Sequence, residues 1–449
     1  MGPHLYARAH RAILEEDRMQ KLSRSIALSA TMVLILAACQ GTNTGSSSAS
    51  TGSGGSGGAT KGTIVIGVDL PLSGGEAPNG QPTLSGVKLA ILKANGQAGG
   101  YTVTTDVRDD AVNGTHNPEQ GATNVQALVA NENVIAMVGP FNSNVGAAEI
   151  PVTSPAGLLQ CSPANTATSL TKKGSDGKFL RGSNPVNYIR VATTDDVQGP
   201  ALADYLYTKL KKTKVFIVDD TETYGKGLAD AFEAKFKELG GTVTARQGVP
   251  NPDGSADYTS ILTAAKGAGP DSVMYGGVTT TGGAKLRTQM ADVGMGSLPF
   301  IGGDGIVDGS GDTASSYVNL AGPAAANSYG SVAAIHDIPN AGDFAAAFKA
   351  KYGTDPGAYS APAYACTQII LAAIDAVAKD AKDMKDLREK VRAYVTKAGQ
   401  KFDTALGPVS FDENGDSSQK IISYYKVDMT AAAGKGDWVF DSQKDFGGQ

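Results

Sequence analysis

The sequence is short of the residues that carry covalent and metal chemistry. Its 449 residues include 3 Cys, 4 His and 1 Trp. Three cysteines cannot staple a scaffold of this length. Two of the histidines, His4 and His10, sit at the start, and His116 and His336 are too few for a multi-histidine metal centre. A basic excess is lacking as well: 39 Lys and Arg face 44 Asp and Glu, for a net charge of −5. Nothing neutralises a phosphate backbone, so nucleic acid is not an expected partner. No GxSxG elbow follows a strand, which leaves a hydrolase unsupported. The expectation is a protein that is not an enzyme and uses no cofactor and no metal. What remains is ordinary globular material, 41% hydrophobic and 18% charged with 57 Gly, in a chain longer than one core usually organises.

The first sixty residues read as an address and a tether. Ile26 to Ala38 is an apolar stretch of thirteen residues behind Lys21 and Arg24. A membrane span takes roughly 20 residues, so this stretch has the proportions of a secretory signal peptide. It ends in Leu36-Ala37-Ala38-Cys39, which resembles a bacterial lipobox with Cys39 as the acylated residue. The expected division is a signal peptide over 1–38, with Met19 the cleaner start because Glu15, Glu16 and Asp17 sit in a region that is normally basic. A lipidated, flexible segment over 39–61 follows. Gly41–Thr60 holds seven Gly, six Ser and four Thr and no charge, a composition that cannot bury a core. The expected location is the outer face of the cell membrane.

Beyond residue 61 the pattern is strand, helix, strand. Thr63–Asp69 is β-branched, and Leu84, Val87, Ala90, Ile91 and Ala94 fall on one helical face. Strand-like runs recur at Thr102–Val107, Val134–Val138, Leu158–Cys161 and Tyr188–Val191. A second series follows at Val215–Val218, Thr242–Ala245, Ser272–Tyr275, Pro299–Ile301 and Ser328–Ala333. Helical stretches include Pro200–Lys211, Gly227–Leu239 and Tyr258–Ala265. Strands separated by helices imply α/β architecture with two doubly wound lobes, whose ligands bind beyond the carboxyl ends of the strands.

The loops at those ends hold small and hydroxylated residues. Pro71-Leu72-Ser73-Gly74-Gly75 has no GxGxxG spacing and no Gly-Lys-Ser/Thr, so it is not a nucleotide cradle. Gly139-Pro140-Phe141-Asn142-Ser143-Asn144 precedes a helix, where a serine and free N–H groups can hold a carboxylate or serve as a plain cap. Ser162-Pro163-Ala164-Asn165-Thr166 is a second cluster of donors.

Taken in order, these loops resemble a family. Ile66-Gly67-Val68 with Pro71-Leu72-Ser73-Gly74, Asp109-Asp110, Ser162–Thr166 and Gln198-Gly199-Pro200 come first. Tyr224-Gly225-Lys226-Gly227, Tyr275-Gly276-Gly277, Gly303-Asp304-Gly305, Gly407-Pro408, Phe411-Asp412 and Gly415-Asp416 follow. From Thr63 to about Val427 the chain resembles type I periplasmic binding proteins of the leucine/isoleucine/valine-binding branch. The resemblance implies two lobes joined by a three-segment hinge, 62–197 plus 335–423 and 198–334 plus 424–449, closing on one ligand. It implies that Ser143, the backbone of Ala164, and Thr166 take the α-carboxylate of an amino acid. Asp304 would take the ammonium, and Tyr224 and Tyr359 would wall the pocket. A buried ammonium needs such a counter-charge. Asn79 and Val278-Thr279-Thr280 stand where aromatics are common in the family, and Asp304 is one methylene shorter than the familiar glutamate. These departures make the pocket more polar than a leucine site.

Cys161 and Cys366 would both fall in the first lobe of an exported protein. They can pair in an oxidising compartment, or remain two buried thiols. The function implied is capture of an amino acid by a monomeric, lipid-anchored binding protein and its delivery to ABC permease subunits. The same fold binding urea, a short amide or another small polar solute, for transport or sensing, is the alternative.

Overall fold

The computed structural model describes residues 61–174, 176–339 and 341–447. The expected signal peptide, the Cys39 anchor and nearly all of the tether lie outside the described residues.

The alternating pattern folds into two open sheets. In chain order the first group is β1 (Thr63–Leu70), β2 (Gln97–Ala98), β3 (Tyr101–Asp109), a small hairpin of β4 (Ala111–Val112) and β5 (Thr115–His116), then β6 (Val134–Val138), β7 (Leu159–Ser162) and β8 (Tyr188–Arg190). The first sheet has the order β2-β3-β1-β6-β7-β8, parallel except where β2 meets β3. The second group is β9 (Lys214–Asp219), β10 (Thr242–Gly248), β11 (Ser272–Gly276), β12 (Phe300–Gly302) and β13 (Ser328–Val332). After the hairpin of β14 (Lys401–Thr404) and β15 (Gly407–Ser410) come β16 (Ile421–Asp428) and β17 (Asp437–Asp445). The second sheet has the order β10-β9-β11-β12-β13-β16-β17, with β16 and β17 antiparallel to their neighbours.

The central strands of both sheets are covered on two faces, which is why β1, β6, β9 and β11 read as nearly continuous buried runs. Ile64, Ile66, Val68 and Leu70 of β1 point into a core shared with Leu84 and Val87 of the helix Ala77–Lys93 and with Ile369, Ile370 and Ile374 of the helix Ser360–Val377. On the opposite face, a Cβ on Gly67 would lie 2.9 Å from a Leu128 methyl, so that strand and the helix Pro118–Ala130 pack closely at this glycine. In β9 the period of two is plain: Val215 and Ile217 enter one core, Phe216 and Val218 another.

The chain moves from the first sheet to the second after β8, returns after β13, and crosses again before β16. The change of lobe expected at 423/424 falls inside β16, all of which pairs in the second sheet. β17 is polar, with Trp438 its sole buried side chain, and such an edge strand carries little hydrophobic signal. The helix expected from Pro200 begins at Asp195 instead and contains Pro200. Its first turn carries Asp195 and Asp196, and acidic side chains favour a helix N-terminus. The proline forgoes one bond within the helix.

Cys161, on β7, and Cys366, on the helix Ser360–Val377, are joined by a disulfide with Cα atoms 5.7 Å apart and a sequence separation of 205. Closing so long a loop restricts the unfolded chain strongly. Cys366→Ser is expected to lower stability by about 2–5 kcal/mol, read from urea unfolding. A midpoint unchanged by the substitution would contradict this.

Candidate functional site

In the first sheet β1 is flanked by β3 on one side and β6 on the other. Successive connections therefore leave in opposite directions and open a crevice at the carboxyl ends. In the second sheet β9 stands in the same position between β10 and β11. The loops from both crevices meet around one cavity. Phe141–Asn144 follow β6, and Ala164 and Thr166 follow β7. From the other side come Glu222 and Tyr224 after β9, Val278 after β11, and Asp304 and Gly305 after β12.

Asp304 opens the short turn Asp304–Ile306 and is buried. Its Oδ1 accepts hydrogen bonds from Gln198 Nε2 at 2.8 Å and from the Tyr224 hydroxyl at 3.1 Å. Burial pushes the carboxyl pKa up, and hydrogen bonds led by that of Gln198 hold it back. The flanking glycines are steric necessities. A Cβ on Gly303 would stand 2.2 Å from the Tyr224 oxygen, and one on Gly305 would stand 2.4 Å from the Gly277 carbonyl. Tyr224, at the start of the helix Thr223–Glu238, also accepts from the Gly305 N–H at 3.3 Å. Tyr359 is buried beside them, its ring edge-on to Phe141 with centroids 5.2 Å apart. Its hydroxyl makes no hydrogen bond of ordinary geometry, and burial and the Asp304 charge push its pKa well up.

Facing Asp304 are the neutral donors. Ser143 is the first residue of the helix Ser143–Thr153, and its Oγ accepts from the Ala167 N–H at 3.3 Å. Ser162 Oγ accepts from the N–H groups of Ala164 and Asn165 at 3.3 and 2.9 Å and shapes this turn. The loop is clamped from behind by Arg190, which is fully buried. Its Nη1 donates to the Ala167 carbonyl, its Nη2 to Thr171 Oγ1 and its Nε to Asp416 Oδ1, each at 2.7 Å.

Ser143, Ala164, Thr166, Tyr224 and Asp304 thus line one cavity, and Tyr359 packs against Phe141 in its wall. A carboxylate on one side and uncharged hydroxyl and N–H groups on the other is an arrangement that can hold a zwitterion by both ends.

A second polar group in the same wall was not foreseen from the sequence. His116 is buried between two carboxylates: Nδ1 lies 3.0 Å from Glu76 Oε1, and Nε2 lies 2.8 Å from Glu222 Oε2. Asn144 Nδ2 donates to the same Glu222 oxygen at 3.0 Å, and Thr280 donates to Glu76. Glu76, His116 and Asn144 come from the first-sheet side, Glu222 and Thr280 from the second, so the cluster ties the two together. Burial alone would lower the imidazole pKa, but Glu76 and Glu222 outweigh it and raise it well above 6.5. His116 in turn holds Glu76 below its usual range against burial. A signal was available, because His116 is one of two histidines beyond the tether and Glu222 precedes the Tyr224-Gly225 pair by two residues.

These groups set a pH dependence. Burial raises Asp69 to about 6 and Asp220 and Asp308 to about 7. Each binds protons more tightly folded than unfolded, so its contribution to stability falls as pH rises from about 4 to its folded value. The contribution of His116 is complete below 6.5 and is lost as pH climbs through its raised folded pKa. Both act in one direction, and the melting temperature is expected to be higher at pH 5.5 than at pH 8. A flat or rising melting temperature over that interval would contradict the assignment.

Comparison with known proteins finds related chains. Residues 63–433 match a family described as periplasmic binding protein. The chain is 30% identical over 389 residues to the Leu/Ile/Val-binding protein homolog 1 of Brucella abortus, covering 85% of this chain and 95% of that one. Among solved structures it is similar to the branched-chain amino acid transporter substrate binding protein LivJ of Streptococcus pneumoniae, in complex with isoleucine. The TM-score is 0.66 at 24% identity, covering 84% of this chain and 100% of that one. It is also similar to a solute binding protein of Rhodopseudomonas palustris in complex with p-hydroxybenzoic acid. There the TM-score is 0.70 at 21% identity, covering 85% and 97%.

Proposed function

Since the chain belongs to the type I periplasmic binding proteins of ABC importers, we propose that its cleft captures an amino acid and presents it to the permease. The observation that carries this reading is the buried Asp304 carboxylate facing Ser143, Ala164 and Thr166 across one cavity. The α-carboxylate takes the neutral donors of the first sheet's loops. The ammonium takes Asp304, supported by Tyr224 and with Tyr359 beside it. An aromatic acid such as p-hydroxybenzoate has no ammonium and would leave Asp304 uncompensated.

The two sheets with their helices act as lobes, and the three crossings between them act as the hinge. Binding starts on one lobe and is completed when the other closes, so the ligand must stabilise the closed form more than the open one. Acylated Cys39 and the Gly/Ser/Thr tether hold the protein at the outer face of the membrane as a monomer, within reach of the permease.

The test is a thermal-shift screen of the full chain against the amino acids, urea, acetamide and 4-hydroxybenzoate. A true ligand at about 100 times its dissociation constant adds roughly 2.7 kcal/mol of stability. A shift with urea, acetamide or 4-hydroxybenzoate, and with no amino acid, would overturn the amino-acid reading. Mass spectrometry of the membrane fraction tests for lipid on Cys39.

A further inference from the structure

The cavity holds more acceptors than an amino-acid head group can use. Glu222 lines it, and its Oε2 is fully engaged by His116 and Asn144. Its Oε1 has no hydrogen bond among the described residues, and the side chain is 23% exposed. Asn142 lines the same cavity and is buried, yet its Oδ1 finds no partner. Asn142 Oδ1 is therefore a buried acceptor without a donor, and Glu222 Oε1 is a partly exposed carboxylate oxygen whose hydration a ligand would have to replace. The formal charges around them are Glu76 and Glu222 against a single imidazolium, His116, so the local balance is negative. Phe141 and Val278 supply apolar surface beside this polar end, suited to the methylenes of an extended side chain.

We propose that the ligand is an amino acid whose side chain ends in N–H donors, a carboxamide, ammonium or guanidinium group, paired with Glu222 Oε1 and Asn142 Oδ1. This rests on the amino-acid reading above and narrows it to a substrate class. An aliphatic side chain there would strip water from a carboxylate and an amide oxygen and return nothing. Sites built around hydrogen bonds discriminate strongly against analogues that lack the partner group.

The experiment is isothermal titration calorimetry on the full chain with L-leucine, L-glutamine, L-lysine and L-arginine. At least one of the three N–H-bearing ligands is expected to bind about tenfold or more tightly than L-leucine. Glutamine as the tightest of them identifies a carboxamide; lysine or arginine identifies a cation. In Glu222→Ala and in Asn142→Ala, each verified as folded by its melting transition, the preference over leucine is expected to shrink to about threefold or less. Leucine equal to or tighter than all three would overturn the proposal, as would a preference undiminished in both variants. Absence of binding by all four would overturn this inference alone; the amino-acid reading falls only if the full thermal-shift screen finds no amino acid that binds.

Discussion

Asp304→Asn is expected to weaken binding of an amino-acid ligand by about 100-fold or more, equivalent to roughly 3 kcal/mol. Asparagine keeps the shape and can still meet Gln198 and Tyr224, which now donate to Asp304 Oδ1. It cannot neutralise an ammonium taken from water into a closed cleft, and an uncompensated buried charge costs several kcal/mol. Stability is expected to move the other way. Burial raises the pKa of Asp304, so folding disfavours the ionised form of that carboxylate. The ligand-free variant is therefore expected to melt at the same temperature as the parent or higher, the trade common at binding sites. Calorimetry and a thermal melt on one preparation read both signs. Affinity within threefold of the parent would show that Asp304 does not hold the ligand.

Arg190→Met is expected to cost about 3–5 kcal/mol of stability, in the range seen when one partner of a buried ion pair is removed. The guanidinium is fully buried and supplies donors to Asp416, Thr171 and the carbonyls of Ala167 and Asn165. Without it, Asp416 keeps the Thr171 hydroxyl, at 3.2 Å, as its remaining side-chain donor, the Asn165 carbonyl loses its donor, and the Ala167 carbonyl is left with the Leu170 N–H at 3.3 Å. The pair is more than a stabilising contact, because Ala167 and Asn165 belong to the loop that presents Ala164 and Thr166 to the cavity. Affinity is expected to fall as well, through a looser loop. Adding Asp416→Leu removes the stranded charge and is expected to recover part of the stability. A loss below about 1 kcal/mol in urea unfolding of the single variant would contradict this account.

Much of the fold was legible because buried parallel strands announce themselves. Val134–Val138 and Ser272–Gly276 are buried throughout, and their apolar runs mark them unambiguously. β17 was not legible, since its nine residues pair at an edge and bury almost nothing. The start of the helix at Asp195 was hidden by Pro200, which marks a first turn more often than an interior position.

The site divides the same way. Ser143, Ala164, Thr166, Tyr224 and Asp304 came from ordered loop motifs and a family resemblance, and spacing alone would have left each an ordinary cap or turn. His116 and Glu222 are 106 residues apart, and Glu76 is 40 from His116. No local pattern joins them. They become a cluster only because both sheets aim their switch-point loops at one place.

The threefold crossing of the chain also governs the order in which the molecule can be built. The first core is finished by Ile369, Ile370 and Ile374, its disulfide by Cys366, and the clamp on Arg190 by Asp416, 226 residues downstream. A growing chain therefore cannot complete its first lobe until nearly all of it has been made. The second sheet closes later still, with β16 and β17. The contiguous stretch β9–β13 supplies the centre of the second sheet, so each core has a body made early and a closing segment drawn from the last part of the chain.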